Sequence, residues 1–446
     1  MISSRLEKLL RIPASQQGRT GLLFLFAFGM SGAYVCARAD ADAMFLSRVG
    51  VQRLPAMILV AASAVAILSA VYSRLVAKAS LRRVILFTHL LLASVTIGLT
   101  LLIESGYQSD AISESFYLLA ELRGAIGSIQ FATLLNEMFH RSAPAEVSGV
   151  AGSGATLAGI VLGGAIGFLA AQFGATSVLF LIPVLDVMAG LVAMRCPGRV
   201  QAESEDSMAA GEGDRPSEAS RREDVHGPNP DDEDSEDDVR QSPLQILRTA
   251  PLARYLAMII CLKSVVVLLI EFEWKSAAGH HFAKEDDMAS FFGVFYAGMF
   301  FLTGLLQLFG TSRVLTRSGI RTGLAAFPGC LSVVLTGVLF SSGATMFWWL
   351  TFARGCDTIR RSVTDPAINI LYWPLNQNVR RQAIAFNGGW VKPLSEALTA
   401  VLLIPLAAAL TQQGRAGVVL VVSAIWMFMI YRGRSAKLGN PGDLLS

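Results

Sequence analysis

Apolar residues in this chain come in long runs, not at the two-residue alternation of a half-buried strand or the spaced stripe of a surface helix. Mostly apolar windows fall near residues 20–38, 54–77, 84–104, 115–139, 147–172, 176–194, 252–274, 288–310, 320–341, 345–372, 381–411 and 415–432. A bilayer core about 30 Å thick takes about 20 residues of helix to cross. The pattern therefore predicts an all-α membrane protein of twelve transmembrane helices, six on each side of a polar interruption. The two sets of six also repeat one another. Ser73, Arg74, Leu75, Lys78, Leu81 and Arg82 follow the second run, and Ser312, Arg313, Val314, Arg317, Ile320 and Arg321 follow the eighth at identical internal spacing. A basic loop recurring after the second helix of each half is expected of a carrier made of two parallel repeats, with its solute site between them.

Composition agrees with that picture. Only 16% of the 446 residues are charged and 53% are hydrophobic, against about 25% charged in an average soluble domain. The domain reading is an N-terminal bundle over 1–194, a linker over 195–250 and a C-terminal bundle over 251–446. Residues 201 to 240 hold fifteen Asp or Glu against four Arg. Such a segment buries too little apolar surface to offset its ordering entropy and is expected to be a disordered tether or a partner-docking segment.

Lys and Arg in short loops set orientation. Arg74, Lys78, Arg82 and Arg83, then Arg313, Arg317 and Arg321, then Arg380 and Arg381 occupy alternate connections, while those after spans three, five and nine carry none. Arg5, Lys8, Arg11 and Arg19 precede the first span without a cleavage site, and Arg432, Arg434 and Lys437 follow the last. Both termini are thus expected in the cytoplasm, in an inner or plasma membrane. The joint after span seven mixes Lys275 and Lys284 with Glu285, Asp286 and Asp287.

Charges inside spans ask for a reason, because each costs about 2.5 to 3.5 kcal/mol at the bilayer centre on the insertion scale. Arg38 and Asp42 lie four apart at the outer end of span one, as a substrate-facing pair or as an interfacial anchor. Glu121 and Arg123 lie in span four; Arg354, Asp357 and Arg361 form a stripe in span ten. Arg123-Gly124 and Arg354-Gly355 occupy corresponding spans and suggest two guanidinium groups facing one cavity, or else two cations neutralised by Glu121 and Asp357. Lys263 in span seven and Lys392 in span eleven add cations, the latter one turn before Glu396. Glu271 near the outer end of span seven belongs to an outer gate or to the wet boundary. The expected substrate-binding set is Arg38, Arg123, Lys263, Arg354 and Lys392, with Asp42, Glu121, Glu271, Asp357, Arg361 and Glu396 as gating or ion-pair partners. His89 and Asp186 stand alone in the sequence, as packing residues or as ion-coupling groups. Gly159, Gly163 and Gly167 along span five predict close helix packing.

No nucleotide-hydrolysis loop, zinc-protease pair or serine-nucleophile motif is present, so neither an enzyme nor an ATP-driven pump is expected. The five scattered cysteines have neither metal-ligand nor disulfide spacing, so no metal or cofactor is expected. The basic loops are too short for nucleic-acid binding.

Residues 360–382, RRSVTDPAINILYWPLNQNVRRQ, resemble a stretch of the ATP/ADP translocases, the nucleotide transporter family of plastids and intracellular bacteria. The matching positions are Arg360, Ser362, Asp365, Pro366, Tyr372, Pro374, Leu375 and Arg380, and a second match in span one places Tyr34, Arg38 and Asp42 at that family's spacing. The chain departs at Ala41, Ile384 and Gly388, where the family carries Lys, Lys and Asp. The resemblance implies a major-facilitator-like fold and nucleotide exchange or import. The resulting expectation is a monomeric secondary transporter, an antiporter within that family's habit, that moves an anionic and nucleotide-like solute by alternating access. Two alternatives stay open: a carrier of a neutral or cationic solute with structural Arg residues, and a non-transporting membrane scaffold or sensor.

Overall fold

A computed structural model describes residues 14–107, 109–139, 145–197, 251–375 and 377–432. The acidic segment 201–240, the basic residues Arg5, Lys8 and Arg11, and Arg434 and Lys437 lie outside the described residues. Six helices form the first half: α1 (Ala14–Arg48), α2 (Leu54–Lys78), α3 (Leu81–Glu104), α4 (Asp110–Met138), α5 (Ala145–Phe173) and α6 (Thr176–Arg195). Six follow in the second: α7 (Pro251–His281), α8 (Glu285–Phe309), α9 (Thr311–Leu339), α10 from Gly343–Gly355 onward, α11 from Gln377–Phe386 through Lys392–Ala409, and α12 (Gln412–Arg432). Among the described residues eleven helices are long and apolar enough to cross a membrane. The chain is an integral multi-pass membrane protein.

The tenth span is the exception to the count. Gly343–Gly355 ends at Cys356, and the chain goes on through the short turn Asp357–Ile359, a π turn over Arg360–Thr364 and the stub Asp365–Ile370. Four charged residues within 357–365 leave no apolar window of full length there, which is why eleven helices rather than twelve pass as uninterrupted spans. α11 carries a second π turn, Asn387–Val391.

The internal repeat is visible in the backbone. The chain breaks at the same motif position in both halves, at extended Ser80 between α2 and α3 and at Gly319, whose φ of 78° kinks α9. A half-to-half rotation that takes α2 to α8 and α5 to α11 also maps two of the inter-half packings onto one another, α5 on α8 and α2 on α11. The first of these is close because it is built of small residues. A Cβ added at Gly163 would meet the Gly293 carbonyl oxygen at 2.8 Å, and one at Gly293 would meet that of Gly163 at 2.8 Å. Gly159 and Gly167 bear on Phe300 and Val294 of the same helix.

Two boundaries differ from the hydropathy reading, and both matter for the site. α1 continues to Arg48, so Arg38 and Asp42 lie inside the helix rather than at its outer end. α7 continues to His281, which takes Lys275 out of the connecting joint and buries it in the bundle.

Candidate functional site

The four helices that the repeat relates in pairs, α1 with α7 and α4 with α10, converge on one network of charges between the halves. Arg38 of α1 is its centre: Nε lies 3.1 Å from Asp42, and its two terminal nitrogens donate to Glu121 of α4 and Glu271 of α7. Lys275 joins Asp42 at 2.8 Å and Glu271 at 3.0 Å, and donates to the Tyr117 hydroxyl at 3.4 Å. Arg354 of α10 reaches Glu271 at 3.6 Å and Asp357 at 3.2 Å. Asp357 also takes Arg361 at 2.8 Å and Arg360, and Arg360 leads to Asp365 at 2.6 Å, which Lys263 of α7 meets at 2.9 Å. Tyr296 of α8 donates to Asp42 at 3.1 Å.

The helix chemistry explains this arrangement locally. Residues three and four apart share a face, so Arg38 with Asp42, Glu271 with Lys275 and Arg354 with Asp357 stack without tertiary help. The π turn at Arg360–Thr364 widens α10, and both Arg360 and Arg361 reach the Asp357 carboxylate. Among the described residues the connected network holds six cations, Arg38, Lys263, Lys275, Arg354, Arg360 and Arg361, against five carboxylates, Asp42, Glu121, Glu271, Asp357 and Asp365. One positive charge is left in excess.

Exposure differs between the two ends of the network. The Asp42 side chain is 0% exposed, Glu121 28% and Arg361 46%. The exposed end is the one that carries the chain ends. Lys392 and Glu396 of α11, 3.9 Å apart, belong to this wetter end as a loose pair. At the opposite face the halves are sealed. Arg48 donates to Glu285 at 2.8 and 2.9 Å, Ser47 adds a 3.0 Å bond to the same carboxylate, and Asp286 accepts the Ala175 N–H at 2.7 Å. A cavity of about 380 Å³ lies between Gly50 and Gln52 of the first half and Ser276, His280 and Arg415 of the second.

Of the five cations expected to bind solute, the structure brings Arg38, Lys263 and Arg354 into one network and sets Lys392 at its wet end. Arg123 is elsewhere. It is buried, and its guanidinium is committed to Asp186 of α6 at 2.8, 3.1 and 3.3 Å and to the Thr96 hydroxyl at 2.9 Å. Its expected pairing with Glu121 is corrected for a geometric reason: residues two apart on a helix face opposite sides. Arg123 shares no partner with Arg354 among the described residues. His89 and Asp186 are likewise not alone, since His89 Nδ1 lies 3.1 Å from Asp186. The second half has its own internal pair, Glu273 with Arg415 at 2.5 and 3.2 Å. Three network members lie outside the expected site set, Lys275, Arg360 and Asp365; the signals for the first two were the four-residue step from Glu271 and the three-residue step from Asp357.

No protein-family model matches the sequence, and no curated protein matches it. Solved structures do. The nucleoside transporter NupG superposes with a TM-score of 0.63 at 9% identity, over 94% of this chain and 99% of that one. The peptide transporter POT, in complex with sulfate, gives a TM-score of 0.60 at 13% identity, over 93% and 94%. The chain has the major-facilitator fold. The likeness extends over almost the whole length of both neighbours.

Proposed function

We propose that this protein is a secondary transporter that works by alternating access and carries an anionic solute, with both termini in the cytoplasm. The observation that carries this reading is the inter-half network with its excess cation, dry at one end and wet at the other. In the present conformation the more exposed members of the network, Glu121 and Arg361, are the ones nearer the chain ends. A solute carboxylate or phosphate entering there meets Arg38, Lys263, Arg354 and Arg361, with Lys392 at the mouth, and competes with Glu121, Glu271 and Asp357 for them. Guanidinium groups suit that exchange because they grip two oxygens at once. Binding swaps internal ion pairs for solute contacts, and the altered pairing across the halves biases one conformation over the other. Arg123 is assigned to holding α4 and α6 together, not to the solute.

Nucleotides are the solutes to test first, on the resemblance of residues 360–382 and of span one to nucleotide exchangers. The NupG and POT folds add nucleosides and peptides to the panel. The test is uptake of labelled ATP, ADP, nucleosides and dipeptides into vesicles holding the purified protein. Saturable uptake of an anion is expected. Arg38→Ala or Arg354→Ala should lower apparent affinity about 10- to 100-fold, the worth of a hydrogen bond to a charged group. Glu121→Gln should act in the opposite direction and tighten apparent affinity up to about tenfold, because it frees Arg38 from its wettest partner. Uptake confined to uncharged solutes and indifferent to all three changes would contradict the reading.

A further inference from the structure

The five cysteines of the chain are all free thiols, and two of them meet. The Sγ atoms of Cys330 in α9 and Cys356 in α10 lie 3.4 Å apart, although 26 residues separate them in sequence. Cys356 is buried, whereas Cys330 is partly exposed. Among the described residues Cys36, Cys196 and Cys261 share no hydrogen bond with a second sulfur, and Cys196 lies 3.5 Å from the Val192 carbonyl instead.

Each of the two sits at a weak point of its own helix. Cys330 follows Pro328 by two residues, and Pro328 has no N–H to offer the carbonyl one turn back. Cys356 ends the first piece of α10. Its N–H is shared between the Phe352 and Ala353 carbonyls at 3.0 and 3.2 Å, and its own carbonyl accepts from the Ile359 and Arg360 N–H groups at 3.0 and 3.3 Å. The π turn begins at Arg360. Arg354 and Asp357, close on either side of Cys356, hold Glu271 of α7 and the guanidinium groups of Arg360 and Arg361. A covalent bond from Cys356 to α9 would therefore tie down the break in α10 together with the chamber residues that flank it.

We propose that Cys330 and Cys356 form an oxidation site, at which a peroxide closes a disulfide that locks the break in α10. Two thiols and one hydrogen peroxide become one disulfide and two waters. Cys330, the more exposed of the two, gives up its proton and attacks one peroxide oxygen; the O–O bond breaks, a sulfenic acid forms on its sulfur, and the released hydroxide takes the proton to become the first water. The Cys356 sulfur then attacks the Cys330 sulfur, the S–O bond breaks, and the departing hydroxide leaves with the Cys356 proton as the second water. The two sulfurs have to close from 3.4 Å to the disulfide length of about 2.05 Å, a movement within the reach of side-chain rotation. The dithiol leaves α10 able to bend at Cys356; the disulfide holds it against α9. The consequence for transport rests on the alternating-access reading, but the bond and its effect on α10 do not.

Two measurements on the full-length protein in lipid test it. The first is peptide mapping by mass spectrometry after treatment with hydrogen peroxide and blocking of the remaining thiols. A peptide joining Cys330 to Cys356 is expected, lost on reduction with dithiothreitol and missing from Cys330→Ser and Cys356→Ser. No linked peptide, or linkage of either residue to Cys36, Cys196 or Cys261 in its place, would overturn the proposal. The second is amide hydrogen exchange of segment 343–370, which should slow about tenfold or more on oxidation of wild type and recover on reduction. Both serine variants should show no such change. A linked peptide with unchanged exchange would overturn the lock, and wild-type protein alone decides both measurements should a variant fail to fold. In vesicles, oxidation should suppress solute uptake and reduction restore it, with the serine variants indifferent; full uptake by the linked protein would overturn the effect on transport. Absence of any solute uptake, with the linked peptide formed and exchange slowed, would instead count against the transporter reading alone.

Discussion

At the scale of single residues, buried charge separates into two kinds. Arg123 with Asp186 and Arg415 with Glu273 are satisfied inside one half and have nothing to exchange. Arg38, Glu271 and Lys275 take partners from both halves. Breaking a pair of the first kind leaves a buried uncompensated charge, so Arg123→Ala should cost about 3 to 5 kcal/mol of stability, read by unfolding in detergent. The protein that remains folded should keep its wild-type apparent affinity for solute; a variant of unchanged stability and weakened affinity would return Arg123 to the site. Which pairs the sequence reveals follows from the same distinction. Arg38 with Asp42, Asp357 with Arg361 and Lys392 with Glu396 are fixed by helical spacing and were legible. Arg123 with Asp186, Lys263 with Asp365 and Lys275 with Asp42 depend on how each helix is rotated about its axis, which a single sequence does not contain.

At the scale of elements, apolar windows located the helices but misplaced the ends that matter. Arg38, Asp42, Glu271 and Lys275 depress hydropathy in mid-helix, so α1 and α7 were expected to stop where their charged chamber faces begin. The broken α10 arises in the same way, from Asp357 through Asp365. The glycines of α5 were read correctly because close packing needs only the absence of a side chain. Gly163→Ala places a methyl group against a backbone oxygen and should destabilise the inter-half contact by about 1 to 3 kcal/mol, with larger residues worse, measured by thermal unfolding of the purified protein. Backbone cannot yield as a flexible side chain can; an unchanged melting temperature would mean that α5 and α8 are not in this contact in solution.

At the scale of the molecule, the recurring basic motif foretold the pseudo-symmetric pairing, and the structure extends it to the packing of α5 on α8 and α2 on α11. The sealed and open faces were not legible, because a conformation is one of several that the same sequence supports. The acidic stretch 201–240 has no place in the proposed cycle, so its deletion with the helices still joined should leave saturable uptake intact; lost uptake in a folded variant would give it an active part. The central claim is that a solute anion takes over cations now held by carboxylates from both halves. A cryo-electron microscopy map of the protein, saturated with the anion that vesicles take up, tests it directly. The account predicts density bridging Arg38 and Arg354, with the carboxylates of Glu121 and Glu271 turned away from them. Density elsewhere, with the ion pairs of residues 38, 121, 271 and 354 intact, would contradict it.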